Sequence, residues 1–107
     1  MHLGLILETN DPERLWNGLR LGLTALAADH TVETFLLGDA VEAPDVQTDA
    51  YNPPGLLRKY RLEGGELLAC GTCLDSRDLE ADELRPRGAM ADLLAIVERA
   101  DRVVTVG

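Results

Sequence analysis

Cys70 and Cys73, the only two cysteines in the chain, stand three positions apart in the segment Ala69-Cys70-Gly71-Thr72-Cys73. A Cys-x-x-Cys pair set between a strand and a helical turn suits thiol chemistry. A sulfur placed there faces unpartnered backbone N–H groups and the positive end of the turn, and both favour thiolate over thiol. Gly71 lets the backbone turn tightly and approach a ligand, and Thr72 offers a hydroxyl hydrogen bond to a thiolate. Arg77 would add positive charge, whereas Glu8 and Asp39 would raise a thiol pKa from close range. Zinc binding is a second use of such a pair, but it needs four ligands. His2 and His30 are the only histidines and neither has a matching spacing, so no metal site within one chain is expected. A third use is structural, with both sulfurs as small buried fillers at a strand end. We expect no cofactor.

The elements that must carry this pair follow from the hydrophobic pattern. Leu3-Gly4-Leu5-Ile6-Leu7 is a nearly continuous apolar run, the pattern of a strand covered on both faces in a parallel sheet. Asp11-Pro12-Glu13 then reads as a helix start, with Asp11 as cap, Pro12 at the first helical position and Glu13 at the positive end. The helix runs to about Ala28 and presents Leu15, Leu19, Leu23 and Leu26, beside Trp16 and Ala27, as one buried stripe. Gly18 and Gly22 permit it to pack closely on a sheet. Thr31 to Leu37 is a second strand, rich in β-branched residues and ending at Gly38-Asp39. Residues 43–55, with three prolines, read as a long surface loop, which could close over a site. A short helix over about Gly55 to Glu63 buries Leu56, Leu57 and Tyr60, keeps Arg58, Lys59 and Arg61 in water, and stops at Gly64-Gly65. Glu66-Leu67-Leu68-Ala69 is the third strand. A last helix, about Ala89 to Ala100, is marked by Met90, Leu93, Leu94 and Val97, and Arg102 to Val106 closes the chain as a strand.

Alternating strands and helices specify one α/β domain over residues 1–107, three-layered α/β/α, with a mainly parallel, flavodoxin-like sheet. In such sheets ligands bind beyond the carboxyl ends of the strands. That edge gathers Glu8, Thr9 and Asn10 from the first strand, Gly38 and Asp39 from the second, and Cys70 to Cys73 from the third. We therefore take Asn10, Gly38, Asp39, Gly71 and Thr72 as substrate-binding candidates around Cys70 and Cys73.

With 107 residues, 46% of them hydrophobic, the chain can build one core and has no room for a second domain. The formal charge of −9 repels phosphate backbones and anionic lipid, so nucleic acid and membrane surfaces are not expected partners. No apolar run approaches the roughly 20 residues that cross a bilayer, and the first residues lack a basic leader, which together predict a cytosolic protein.

Taken in order, Leu5-Ile6-Leu7 leading into Thr9-Asn10-Asp11-Pro12, then Phe35-Leu36-Leu37-Gly38-Asp39-Ala40-Val41, Ala69-Cys70-Gly71-Thr72-Cys73-Leu74 and Met90-Ala91-Asp92-Leu93-Leu94 resemble the DsrE-like family, over nearly the whole chain. The Gly-Asp-Ala-Val and Ala-Cys-Gly-Thr-Cys segments are the most specific elements. The resemblance implies a compact α/β/α domain that assembles into trimers or hexamers, and a cysteine that carries sulfur as a persulfide between proteins. By order in the motif Cys70 is the carrier, and the single-cysteine relay members lack a counterpart of Cys73. Three functions stay open: a persulfide carrier exchanging sulfur with donor and acceptor proteins or small persulfides, which predicts an accessible Cys70; a thiol-disulfide redox protein; and a non-catalytic, oligomeric, ligand-binding domain.

Other features have plainer readings. Arg58-Lys59-Tyr60-Arg61 is read as a solvated face, Asp11 as a cap, Trp16 as core or interface packing, His2 and His30 as surface residues. Arg85-Pro86-Arg87-Gly88 is read as a plain loop, with anion binding beside the following helix as its alternative.

Overall fold

Every strand of the sheet runs the same way. In the computed structural model, which describes residues 1–107, strands β1 (His2–Leu7), β2 (Thr31–Leu36), β3 (Glu66–Cys70), β4 (Arg87–Gly88) and β5 (Arg102–Val106) pair in the order β4-β3-β2-β1-β5, all parallel. The chain steps in one direction from β1 to β4 and then returns to the far side of β1. Right-handed crossovers place helices reached in opposite directions on opposite faces of a sheet. Accordingly α1 (Pro12–Ala27) and α2 (Pro53–Leu62) pack together over one face, and α4 (Met90–Arg99) lies over the other. A five-residue helix, α3 (Gly71–Asp75), follows β3 directly.

The central strand β2 is buried from Val32 to Leu36, as a strand flanked on both edges and both faces must be. Leu15 and Leu19 of α1 are fully enclosed. At Gly18 a side chain would bring its Cβ to 2.7 Å from Leu7, so this glycine sets how closely α1 approaches β1. Asp11 caps α1, its carboxylate accepting from the Arg14 amide at 2.9 Å. Tyr60 anchors α2: its enclosed hydroxyl accepts from Thr34 Oγ1 at 2.8 Å and reaches the Glu66 carbonyl at 2.6 Å.

Four expectations change. The long loop over 43–55 is much shorter, because a 3-10 helix occupies Gly38–Asp45 and α2 already begins at Pro53. Ala40, Val41 and Ala43 are buried, and Pro53 and Pro54 occupy a first helical turn, where proline is tolerated. Arg87–Gly88, read as loop, forms the edge strand β4, too short to leave a periodic signal. His2 is not a plain surface residue: its Nε2 lies 2.6 Å from the buried Glu33 carboxylate, which Arg99 also grips at 2.6 and 3.1 Å. On α4 only Leu93 and Ile96 turn inward, leaving Met90, Leu94 and Val97 exposed.

Candidate functional site

Cys70 ends β3 and is also the N-cap of α3, so one residue stops a strand and starts a helix. Its Sγ accepts from the Cys73 amide at 3.4 Å, the bond a capping side chain makes to the third helical residue. Cys73, on that first turn, has its own donor: the Gly38 amide points at Cys73 Sγ from 3.3 Å. Gly38 has φ +58, a left-handed conformation that glycine adopts without strain, and it lets the chain leave β2 and turn into the 3-10 helix. Both sulfurs are therefore hydrogen-bonded to backbone amides. The Thr72 side chain, expected to serve this purpose, stands exposed.

The two cysteines differ in access. Cys70 is 5% exposed, whereas Cys73 is half-buried. The expectation of an accessible Cys70 is thus corrected: it sits at the junction of a buried strand end and α3, with its sulfur held by the Cys73 amide. Both line a cleft of about 580 Å³ with Leu37, Gly71, Thr72, Arg87, Gly88, Ala89, Met90 and Asp92. Partial burial pushes the Cys73 thiol up, and the neighbouring Cys70 adds to this, while the Gly38 amide and Arg77 pull the other way. Arg77 contributes little because acidic neighbours hold it. Its Nη2 donates to Asp39 at 2.7 Å, its Nε to Glu42 at 3.1 Å, and its Nη1 to the Cys73 carbonyl at 3.1 Å.

The sequence-derived candidates divide accordingly. Cys70, Gly71, Thr72 and Cys73 line the cleft, and Gly38 reaches it through its amide. Asp39 is exposed and turned to Arg77. Asn10 lies outside the lining: it follows β1, two strands from β3, a lateral separation of roughly 10 Å at normal strand spacing. Arg87, Met90 and Asp92 line the cleft without having been proposed. The sequence signals for them were the Arg-Pro-Arg-Gly run before the last helix, for Arg87, and the Met90-Ala91-Asp92 stretch of the family resemblance. Of its two arginines, Arg85 is structural, donating to the Glu80 and Val41 carbonyls and pairing with Asp45 at 2.7 Å. No cluster of three or more histidine, cysteine or acidic side chains has the arrangement of a metal site.

Known proteins place the chain. Its fold is similar to that of the ychN protein from E. coli, whose crystal structure superimposes with a TM-score of 0.84 at 24% identity, covering 98% of this chain and 99% of that one. Its sequence is similar to the uncharacterized protein MJ0989 of Methanocaldococcus jannaschii, at 33% identity over 99 residues, 87% of each chain. It is also similar to the uncharacterized protein MK0008 of Methanopyrus kandleri, at 32% identity over 101 residues, 86% of this chain and 81% of that protein. The family model for the DsrE/DsrF-like family matches residues 1–106, and with the same parallel α/β fold and near-complete coverage, the chain belongs to that family.

Proposed function

We propose that the protein is a persulfide sulfur carrier in intracellular sulfur relay, loaded on Cys70. The observation that carries this reading is the pair of sulfurs in one cleft, each held by a backbone amide. Such donors favour negative charge on sulfur, the form that attacks, although at Cys73 burial outweighs the Gly38 amide and holds the thiol up. In the loading step the Cys70 thiolate attacks the outer sulfur of a donor persulfide. The Cys70 S–S bond forms, the donor S–S bond breaks, and its electron pair leaves on the donor thiolate. Unloading is the same exchange with an acceptor thiolate as nucleophile. Cys70 is 5% exposed, so on this reading donor and acceptor reach it through the cleft that it lines. Where no acceptor arrives, Cys73 serves as resolving thiol: its thiolate attacks Cys70 Sγ of the loaded persulfide, forms the internal disulfide and releases hydrosulfide, and a partner thiol then reduces the disulfide.

The cap geometry also favours a second reading, a thiol-disulfide redox protein, because Cys70 and Cys73 share one helical turn. Partners in either case are thiol or persulfide proteins, or small persulfides, in the cytosol. No helix is long and apolar enough to cross a membrane. We also take the working form to be a homo-oligomer, trimer or hexamer. Met90, Leu94 and Val97 form an apolar stripe on α4, 43–60% exposed, and Met90 carries it to the edge of the cleft.

Mass spectrometry of the intact reduced protein after exposure to a polysulfide, with peptide mapping, tests the reading. One added sulfur on Cys70, removable by an acceptor thiol, lost in Cys70→Ser and kept in Cys73→Ser, is expected. Loss of two hydrogens without added sulfur supports the redox protein, and an unchanged mass refutes both.

A further inference from the structure

Arg87 is the one cationic side chain in the lining of the cysteine cleft. Its placement depends on Gly71: a Cβ there would lie 2.7 Å from both Cζ and Nε of Arg87, so the guanidinium rests in the space a side chain would fill, one residue from Cys70. Asp75, at the end of α3, holds the other side of the group, accepting from Nη1 at 2.9 Å and Nη2 at 2.8 Å. These are its two side-chain hydrogen bonds in the chain, and a guanidinium has five N–H donors. Donors therefore remain for a ligand. The pair is open to solvent, 55% exposed for Arg87 and 63% for Asp75, so it adds little to stability by itself. A glycine seat, a bidentate holder and spare donors form an anion-binding arrangement in the wall shared with Cys70.

We propose that Arg87 binds the anionic outer sulfur of the persulfide carried on Cys70, with Gly71 and Asp75 positioning its guanidinium. The inference rests on the carrier reading and assigns the group that recognises the loaded state. A persulfide is a stronger acid than its parent thiol, so the loaded cysteine presents a negative charge at neutral pH on a large, polarisable sulfur. Guanidinium is planar and more weakly hydrated than ammonium, which suits a large, polarisable anion. Arg87 thus holds the carried sulfur in place and offsets its charge, which lessens the repulsion met by an incoming acceptor thiolate, without taking part in bond making.

The experiment loads the full-length protein with inorganic tetrasulfide and follows alkylation of the carried sulfur by iodoacetamide across pH, with mass readout. Arg87→Gln is expected to move the midpoint of that profile upward by about 0.5–1 pH unit, below the roughly 1–3 units of an unshared opposite charge because Asp75 and solvent offset part of it. Arg87→Lys should restore part of the shift. Gly71→Ala, which pushes the guanidinium out of its seat while keeping it in the chain, should move the profile in the same direction as Arg87→Gln. Normal loading with superimposable profiles in wild type and Arg87→Gln overturns the assignment and leaves the carrier reading intact. Absence of added sulfur in the wild type overturns both.

Discussion

Replacing Tyr60 by Phe removes a single oxygen from the core, and the structure fixes what that should cost. The hydroxyl is enclosed, accepts from Thr34 Oγ1 at 2.8 Å and lies 2.6 Å from the Glu66 carbonyl and 3.2 Å from that of Val32. In the variant the Thr34 hydroxyl, itself 1% exposed, loses its acceptor and the Glu66 carbonyl loses a donor. Stranding buried polar groups costs about 1–3 kcal/mol. Taking about 2 kcal/mol and a urea slope of about 1.5 kcal/mol per molar, the unfolding midpoint should fall by about 1.3 M with unchanged slope. Burial pushes the Tyr60 phenol far above its usual range, so the difference from wild type should be flat across neutral pH. Combining it with Thr34→Val makes both partners apolar, and the double variant should lose less than the sum of the single losses, by about 1 kcal/mol. Urea titrations followed by circular dichroism measure all four corners of the cycle. A midpoint shift below about 0.3 M for Tyr60→Phe, or strict additivity, would refute the reasoning.

Acid stability should depend on Glu33. The Arg99 guanidinium holds its carboxyl below the usual range, with His2 assisting against the opposing effect of burial. A carboxylate depressed in the folded state contributes stability above its unfolded pKa, about 4.3, and that contribution disappears as pH falls through the folded value. Urea midpoints of wild type and Glu33→Gln should therefore differ most near neutrality and converge as pH drops below about 4; curves that stay parallel would argue against the ion cluster. Leu94, 60% exposed on the apolar stripe of α4, tests the assembly. Native mass spectrometry should find an oligomer for wild type and monomer for Leu94→Asp, and a monomeric wild type would rule the assembly out.

Much of the local structure, including the turn that carries the cysteines, was legible in the sequence because it depends on neighbours along the chain. The turn after β3, the cap by Asp11 and the burial of Tyr60 each need only a few residues of spacing, and all three stand in the structure. The prolines at 53 and 54 misled for the same reason: a proline signals a loop or a first helical turn alike, and packing against the 3-10 helix, not the residue itself, selected the turn. Strand alternation likewise established a parallel α/β domain, since a parallel connection requires a crossover.

Which distant residues meet the cysteines was decided by strand order, and strand order is not a property of any local segment. Pairing β2 beside β3 brings the Gly38 amide to Cys73, across 35 positions of sequence. Pairing β4 beside β3 lays Arg87 over Gly71, and placing β1 two strands away moves Asn10 out of reach. The positive charge expected from Arg77 is absorbed by Asp39 and Glu42, whose positions follow from the 3-10 helix. Sequence thus determined which groups exist and how each element begins and ends. Tertiary pairing determined the distances between them, and electrostatics and hydrogen bonding fall steeply with distance.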